Sequence, residues 1–251
     1  MAWVTKDSKE EYTPQTPARV YTKQEKTKNW WHYHRWAVLA GAAAAGLAAW
    51  FIHDVVTQVK PDYQVAWVGR AELPEDTASA LTAALEAFGE DQNGDGKVVV
   101  VLNQFTVDFS EDTAADANTQ MAGITKLSAD LATGSGSYLY FVEDPEGFEK
   151  STGALQYLDG TLPDTDAGVT DWQNLYYRWT DCPVLAGLPL GTFTGYTMAD
   201  DVTGNSQDLF KDVYVGRRGV WDEGQKKNFA GGPELWAALT AGAAKLPGAT
   251  R

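Results

Sequence analysis

Residues 90–105 read EDQNGDGKVVVVLNQF, a polar turn with two glycines that runs directly into a strongly apolar segment. The Asn-Gly and Asp-Gly pairs of the turn supply residues that adopt positive φ easily. The near-continuous apolar run is typical of a central strand, because a strand inside a sheet is covered on both faces. The stretch therefore predicts a tight turn that leads into a buried strand, which we place at 97–109.

Strands and helices alternate on either side of this stretch. The order βαβαβα predicts an α/β fold with a mostly parallel sheet and helices on both faces, that is, a three-layer sandwich. Beyond residue 160 we expect a short helix within 171–190, late strands within 191–201 and 209–221, and a closing helix at 231–246. The first six elements are predicted as a strand at 62–69, a helix at 73–90, the strand at 97–109, a helix at 110–134, a strand at 137–144 and a helix that begins within 145–155.

An uncharged segment lies near the N-terminus, at residues 36–52, WAVLAGAAAAGLAAWFI. Aromatic residues flank it, and a helix would separate Trp31 from Trp50 by ~28 Å, the spacing of two aromatic belts at membrane surfaces. We therefore predict a single transmembrane helix at 30–56. Two alternatives stay open, which are a cleaved signal peptide and a buried Ala-rich helix of a soluble protein.

Charge is distributed unevenly along the chain. The formal net charge is −14, but residues 1–35 carry seven Lys or Arg and four acids, a net charge of +3. The rest of the chain carries 13 basic and 30 acidic residues, a net charge of −17, which makes a nucleic-acid partner improbable. The positive-inside rule then predicts a cytoplasmic N-terminus and an extracellular C-terminal domain in the cell membrane.

This organisation divides the chain into four parts. Residues 1–29 are polar and lack periodicity, and we expect a disordered cytoplasmic tail. The transmembrane helix at 30–56 follows, then a tether at 57–61, and then the extracytoplasmic α/β domain at 62–251.

Residues 62–160 resemble one lobe of the extracellular solute-binding proteins that serve ABC importers for sugars. The parts that carry the resemblance are ALEAFGEDQNGDGKVVVVLNQF, ITKLSADLATGSGSYLYFVEDPEGF and GALQYLDG, in that order. The resemblance implies a one-lobe fold and an extracellular location. We expect the second lobe of that family to be missing, because residues 160–251 are too few for it, and the lipid-modified cysteine usual near the N-terminus of that family is not present in this sequence. The resemblance therefore does not indicate which residues of this chain would line a ligand cleft.

The turn also matches the first half of a calcium-loop pattern, with oxygen ligands at alternate positions. Asp91, Asn93 and Asp95 would be side-chain ligands, and Lys97 would offer its backbone carbonyl. The twelfth position, which should be a bidentate Glu, is Leu102, and a strand follows where a helix should. The sequence leaves open a calcium ion, with a structural role, and a glycine turn without metal.

Catalytic patterns are sparse in the predicted outer domain. The chain has three histidines, His32, His34 and His53, so a Ser-His or Cys-His pair in the outer domain is excluded. The one cysteine, Cys182, lies in an apolar stretch and is predicted to be a buried small residue. Acid pairs such as Glu143 with Asp144 allow a carboxylate-dependent hydrolase, although most acids of so acidic a chain are solvated surface.

Aromatic residues concentrate near position 175. Trp172, Tyr176 and Trp179 would share one face if their segment were helical, and they would then serve as core or as a stacking platform for a carbohydrate or a surface-protein partner. Arg217 and Arg218 follow a predicted strand, and we expect them to pair with nearby acids.

These observations favour a non-enzymatic, membrane-anchored extracytoplasmic module that binds a ligand or partner, or that has a structural role. The alternatives are a glycan hydrolase and an accessory subunit of a membrane transporter. Calcium is the one cofactor that the sequence suggests.

Overall fold

The structure is a computed structural model, and it describes residues 20–57, 60–110, 117–164, 168–196 and 201–251. The chain divides into two compact units, residues 1–59 and residues 60–251. The first unit contains helix α1, Lys23–Thr57, and the second contains all other elements.

Helix α1 begins with a capping box that the sequence analysis missed. The Thr22 hydroxyl accepts from the Glu25 N–H over 3.4 Å, and a Glu25 carboxylate oxygen accepts from the Thr22 N–H over 3.0 Å. The helix therefore starts at Lys23, seven residues before the predicted span and inside the segment that we expected to be disordered. The helix is long and apolar enough over Lys23–Asp54 to cross a membrane, and its apolar stretch is not buried within the structure.

The strands described in the second unit are β1 Tyr63–Gly69, β2 Val100–Thr106, β3 Leu139–Val142, β4 Tyr176–Arg178, β5 Thr192–Tyr196, β6 Asp201–Asn205 and β7 Tyr214–Arg217. The unit is a mixed α/β fold whose main sheet has the strand order β2–β1–β3–β7–β4. Strand β1 pairs in parallel with β2 and β3, whereas β7 lies antiparallel between β3 and β4. A separate antiparallel pair is formed by β5 and β6.

The helices of this unit alternate with the first three strands, which confirms the predicted βαβαβα order. Three short 3-10 turns, at Trp172–Asn174, Trp179–Asp181 and Ser206–Phe210, complete the unit. The predicted helix at 110–134 is described from Ala117, and residues 111–116 lie outside the described part. The helices are α2 Glu75–Glu86, α3 Ala117–Ala132, α4 Pro145–Thr152, α5 Pro183–Ala186, α6 Glu223–Asn228 and α7 Gly232–Leu239.

Two apolar cores lie on opposite faces of the sheet, because successive strand residues point in opposite directions. Trp67 belongs to one core, with side chains of α2, α5 and α7, and Ala66 belongs to the other, with side chains of α3 and α4. The same alternation places Phe141 in the first core and Tyr140 in the second. The large side chains of β1 and β3 are buried in these two cores.

The prediction of a mostly parallel sheet holds for the first three strands only. The late strands add antiparallel pairs, which need no crossover helix. The predicted closing helix is also shorter than expected, since α7 ends at Leu239 and not at residue 246. The short helix expected within 171–190 is α5, near the end of that segment, whereas 3-10 turns and β4 occupy its first half.

Candidate functional site

The 91–97 loop is fastened by its own side chains. Asp91 accepts from the Gly94 N–H over 2.6 Å and from the Gly96 N–H over 2.8 Å, one bond to each carboxylate oxygen. Asn93 Oδ1 accepts from the Asp95 N–H, and Asp95 Oδ1 accepts from the Lys97 N–H, both over 2.9 Å. The glycines adopt positive φ, +76° at Gly94 and +84° at Gly96, as the turn prediction required.

Asp62 is a further anchor of this loop that the sequence analysis did not identify. Its carboxylate accepts from the N–H groups of Gln92, Asn93 and Val99 over 2.8 to 3.1 Å. These bonds connect the start of β1 to both ends of the turn. The loop conformation thus has a complete explanation in hydrogen bonds that involve no metal.

The donor set of the loop, carboxylate and amide oxygens, is chemically suited to calcium. The bond from the Gly96 N–H is the largest cause of a lowered pKa of the Asp91 carboxyl, which keeps that group ionised. Within the described ranges, however, no group of three or more His, Cys, Asp or Glu side chains is placed to hold a metal ion. Calcium at this loop therefore remains a hypothesis.

The aromatic trio does not form one face. Trp172 lies in a 3-10 turn, Tyr176 begins β4, and Trp179 begins the next 3-10 turn. Tyr176 is buried in the α3 and α4 core, whereas Trp179 is buried in the opposite core, 4.3 Å from Phe210 between ring centroids. Trp172 is half-buried and packs edge-on against Tyr176 and Tyr214. Two of the three side chains thus face away from solvent.

Two side chains of chemically reactive types, Cys182 and Glu149, are also buried. Burial raises the pKa of the Cys182 thiol to about 12, so it is not a reactive thiolate. Glu149 is the one acid among the described residues that is buried, at 2% exposure, and it lies in the core next to Tyr176. In the described ranges, therefore, no two buried carboxylates face each other across a groove.

The carboxyl ends of the parallel strands are the usual ligand position in α/β folds. Here Arg70 forms an ion pair with Asp108 over 3.7 Å, and Glu143 accepts from the Arg70 N–H over 2.8 Å. The groove nearby is lined by three acids, and both carboxylate oxygens of Asp76 accept backbone N–H groups. The groove has a volume of about 770 Å³, but Arg70, Glu143 and Asp76 are engaged in contacts within the protein.

Another cavity lies at the opposite end of the strands, where β3 begins and β7 ends. We call it the Arg217 pocket. Its volume is about 440 Å³. A neighbouring cavity of about 430 Å³ shares the walls formed by Tyr138 and Phe229. The Arg217 pocket is lined by Tyr138, Gln156, Arg217, Val220, Trp221, Asp222, Glu223, Lys226, Phe229 and Pro233.

Arg217 is held firmly at this pocket. Its Nη2 donates to the carbonyl oxygens of Tyr157 and Leu158 over 3.3 and 3.1 Å. The guanidinium carbon lies 5.3 Å from the centroid of the Trp236 ring, and that ring is stacked on Tyr177. These contacts fix the orientation of the side chain before any ligand arrives.

The expected pairing of the two arginines with acids is not found among the described residues. Arg218, 3% exposed, donates instead to carbonyl oxygens of Asp130, Leu131 and Thr133, at the C-terminal end of α3. Its charge therefore lies at the negative end of the helix dipole. Arg217 forms no ion pair with a described acid, and the buried Nε atoms of both arginines have no hydrogen-bond partner among the described residues.

Polar and aromatic groups surround Arg217. The Gln156 amide lies at 3.5 Å from the Tyr138 hydroxyl, and Tyr138 packs on Phe229. Burial raises the pKa of Tyr138, while the nearby Arg217 guanidinium opposes that rise. Trp221 is 43% exposed at the rim of the pocket. The pocket lining thus combines a cation, a phenol, an amide and an exposed aromatic ring.

The sequence analysis named Arg217 but not this pocket. The signal was the segment RRGVW at residues 217–221, which combines cations, glycine and tryptophan directly after a strand. No protein-family model, no curated protein and no solved structure matches this chain.

Proposed function

We propose that this protein is a single-pass, membrane-anchored, extracytoplasmic module that binds a small polar ligand without chemically changing it. Helix α1 would be the anchor, with the N-terminus in the cytoplasm because Lys26, Lys28 and Arg35 lie on that side of the apolar segment. The acidic unit at residues 60–251 would then face the exterior.

The architecture supports a binding role in general terms. Apolar cores on both sheet faces, each with its own helices, are consistent with the three-layer arrangement expected of one lobe of a solute-binding protein. A rigid sheet of this kind can hold ligand-binding side chains at fixed positions. A carbohydrate is the ligand class that we propose, because aromatic rings and mixed donors and acceptors suit its apolar faces and hydroxyl groups.

The observation that carries the proposal is the Arg217 pocket. It combines concavity, a fixed arginine and convergent polar groups, which together are the usual features of a small-molecule site. Its aromatic residue, Trp221, is exposed, unlike Tyr176 and Trp179.

Ligand titration with two variants tests this proposal. The full chain in detergent micelles would be titrated with neutral and acidic monosaccharides, and the heat of binding measured. Trp221→Ala should abolish or strongly weaken binding, whereas Trp172→Ala should leave it unchanged. Equal loss in both variants, or no binding of any sugar to the unmodified chain, would contradict the proposal.

The topology needs a separate test. Protease added to intact cells should digest the unit at residues 60–251 and leave a membrane-embedded fragment that contains α1. Complete protection of that unit in intact cells, with digestion after permeabilisation, would reverse the proposed orientation.

We retain calcium as a proposed structural ion of the same module, at the loop from Asp91 to Lys97. The alternating oxygen donors of the loop support this proposal. The ion would have no part in ligand binding, because its loop contributes no side chain to the Arg217 pocket.

A further inference from the structure

We propose that the ligand of the Arg217 pocket carries a carboxylate, and specifically that it is a uronate, a sugar whose carboxylate pairs with Arg217. The inference rests on the proposed function, since it names the ligand class of the same pocket. The main observation is that Arg217 has no acidic partner among the described residues.

Arg217 is a half-buried cation without an acidic partner. The unit that contains it carries many more acids than bases, so carboxylates are abundant near most cations. Yet none of the ion pairs formed between described residues involves Arg217. Burying a charge without compensation is costly, and a bound anion would remove that cost.

The hydrogen bonds of Arg217 leave room for this anion. Nη2 is occupied by the carbonyl oxygens of Tyr157 and Leu158, and a side-chain hydrogen bond joins the guanidinium to Tyr138. These bonds do not use all five N–H donors of the guanidinium. An arginine fixed by carbonyls and by the Trp236 ring, with donors left over, is suited to bind a carboxylate.

The acids that line the pocket do not replace such a ligand. Asp222 is the N-cap of α6, and its Oδ1 accepts from the Gln225 N–H over 2.8 Å. Glu223 is exposed and lies 3.8 Å from Lys226. Both side chains are therefore engaged at the α6 end of the pocket.

The remaining groups fit the ring of a sugar. The backbone N–H of Trp221 donates to Gln225 Oε1 over 2.8 Å, and the Trp221 ring lies against the backbone of Gly219, where a Cβ would come within 2.3 Å. An exposed ring held in this way can stack on the apolar face of a sugar. The Tyr138 hydroxyl and the Gln156 amide can exchange hydrogen bonds with sugar hydroxyls.

Matched ligands test the carboxylate directly on the unmodified full chain in detergent micelles. Titration calorimetry would compare glucuronate with glucuronamide, its neutral isostere, and galacturonate with galactose. We expect at least about tenfold tighter binding of each uronate than of its neutral counterpart, because a hydrogen-bonded charge pair is replaced by a neutral contact.

Two arginine variants test whether Arg217 causes the preference for uronates. Arg217→Gln should abolish the preference for uronates, whereas Arg178→Gln, which removes one charge from β4 outside the pocket, should retain it. If Arg217→Gln fails to fold, the comparison of glucuronate with glucuronamide on the unmodified chain decides the question.

The possible failures are distinguishable. Equal affinity for glucuronate and glucuronamide, lost in Trp221→Ala, would overturn the carboxylate inference and leave the proposed function standing. A uronate preference that persists in a folded Arg217→Gln variant would also overturn it. No binding by any of the four sugars would contradict both.

Discussion

The Tyr176 hydroxyl donates to Glu149 Oε1 over 2.9 Å inside the core formed with α3 and α4, and Glu149 Oε2 has no hydrogen-bond partner. The two residues connect α4 to β4 across the interior. Among the described residues, no cation compensates the charge of Glu149, since the other titratable neighbours of Tyr176 are Asp144 and Tyr140. A buried carboxylate without a cation is more stable in its protonated form.

Glu149 should therefore make the stability of the protein depend on pH. Burial raises the pKa of this carboxyl from 4.5 to about 7, while the Tyr176 bond opposes the rise. Between those values the folded state retains a proton that the unfolded chain has lost, so stability should fall as the pH rises from 4.5 to 7. The expected loss is on the order of 3 kcal/mol, with little further change above pH 7.

Urea unfolding at pH 5 and pH 8 measures this loss. Glu149→Gln should remove most of the difference between the two pH values. Glu146→Gln, on the exposed face of the same helix, should preserve it. An unchanged difference in Glu149→Gln would show that other groups cause the pH dependence.

Gly123 should not tolerate a side chain. A Cβ at this position of α3 would lie 1.9 Å from the carbonyl oxygen of Thr106, so helix and strand β2 would have to separate. Gly123→Ala should lower the free energy of unfolding by about 1–3 kcal/mol. Gly134→Ala is the matched control, because its Cβ would meet nothing closer than 3.5 Å. Similar melting temperatures for the two variants would contradict the tight packing of α3 on β2.

The local parts of this fold were predictable because short-range chemistry determines them. Asp144 precedes Pro145, and its side chain accepts from the Gly147 N–H over 3.0 Å, which starts α4 where the sequence indicated. Gly153, with φ of +54°, ends the same helix. The apolar run of β1 likewise indicated a buried strand. The apolar run of β2 was misleading, because it predicted a central strand covered on both faces, whereas β2 lies at the edge of the sheet and Val101 is exposed.

The late strands and the pocket were not predictable in the same way. Strand β7 inserts between β3 and β4, and that order depends on contacts between segments far apart in the chain. Arg217 meets Gln156 and Tyr138 only because β7 pairs antiparallel with β3. The helical spacing of Trp172, Tyr176 and Trp179 was misleading, because tertiary packing placed a short strand where a helix was expected.

Trp179 and Trp172 should differ sharply in their effect on stability. Trp179 is fully buried, stacks on Phe210 and donates from Nε1 to Gln207 over 2.9 Å. Trp179→Ala should cost about 3–5 kcal/mol, and Trp172→Ala clearly less, because Trp172 is only half-buried. Chemical denaturation compares the two. A larger loss in Trp172→Ala would contradict the assignment of Trp179 to the core.

Asp91 should stabilise the 91–97 loop even without calcium. Its carboxylate accepts two backbone N–H groups, and its lowered pKa means that this contribution is present above the unfolded pKa and is lost as the pH falls through the folded value. In EDTA, Asp91→Ala should melt at a lower temperature than the unmodified chain. Asp95→Ala should lose less, since the Asp95 side chain accepts from one described donor, the Lys97 N–H.

The same thermal melts, repeated with calcium, distinguish stabilisation by the hydrogen bonds of the loop from stabilisation by a bound calcium ion. If the ion binds, calcium should raise the melting temperature of the unmodified chain and leave that of Asp91→Ala unchanged, because the variant lacks the first ligand of the series. A calcium shift of equal size in both would place the ion elsewhere, and no shift in either would reject calcium at this loop. The EDTA difference between the unmodified chain and Asp91→Ala should appear in every case, because it arises from the hydrogen bonds to Gly94 and Gly96.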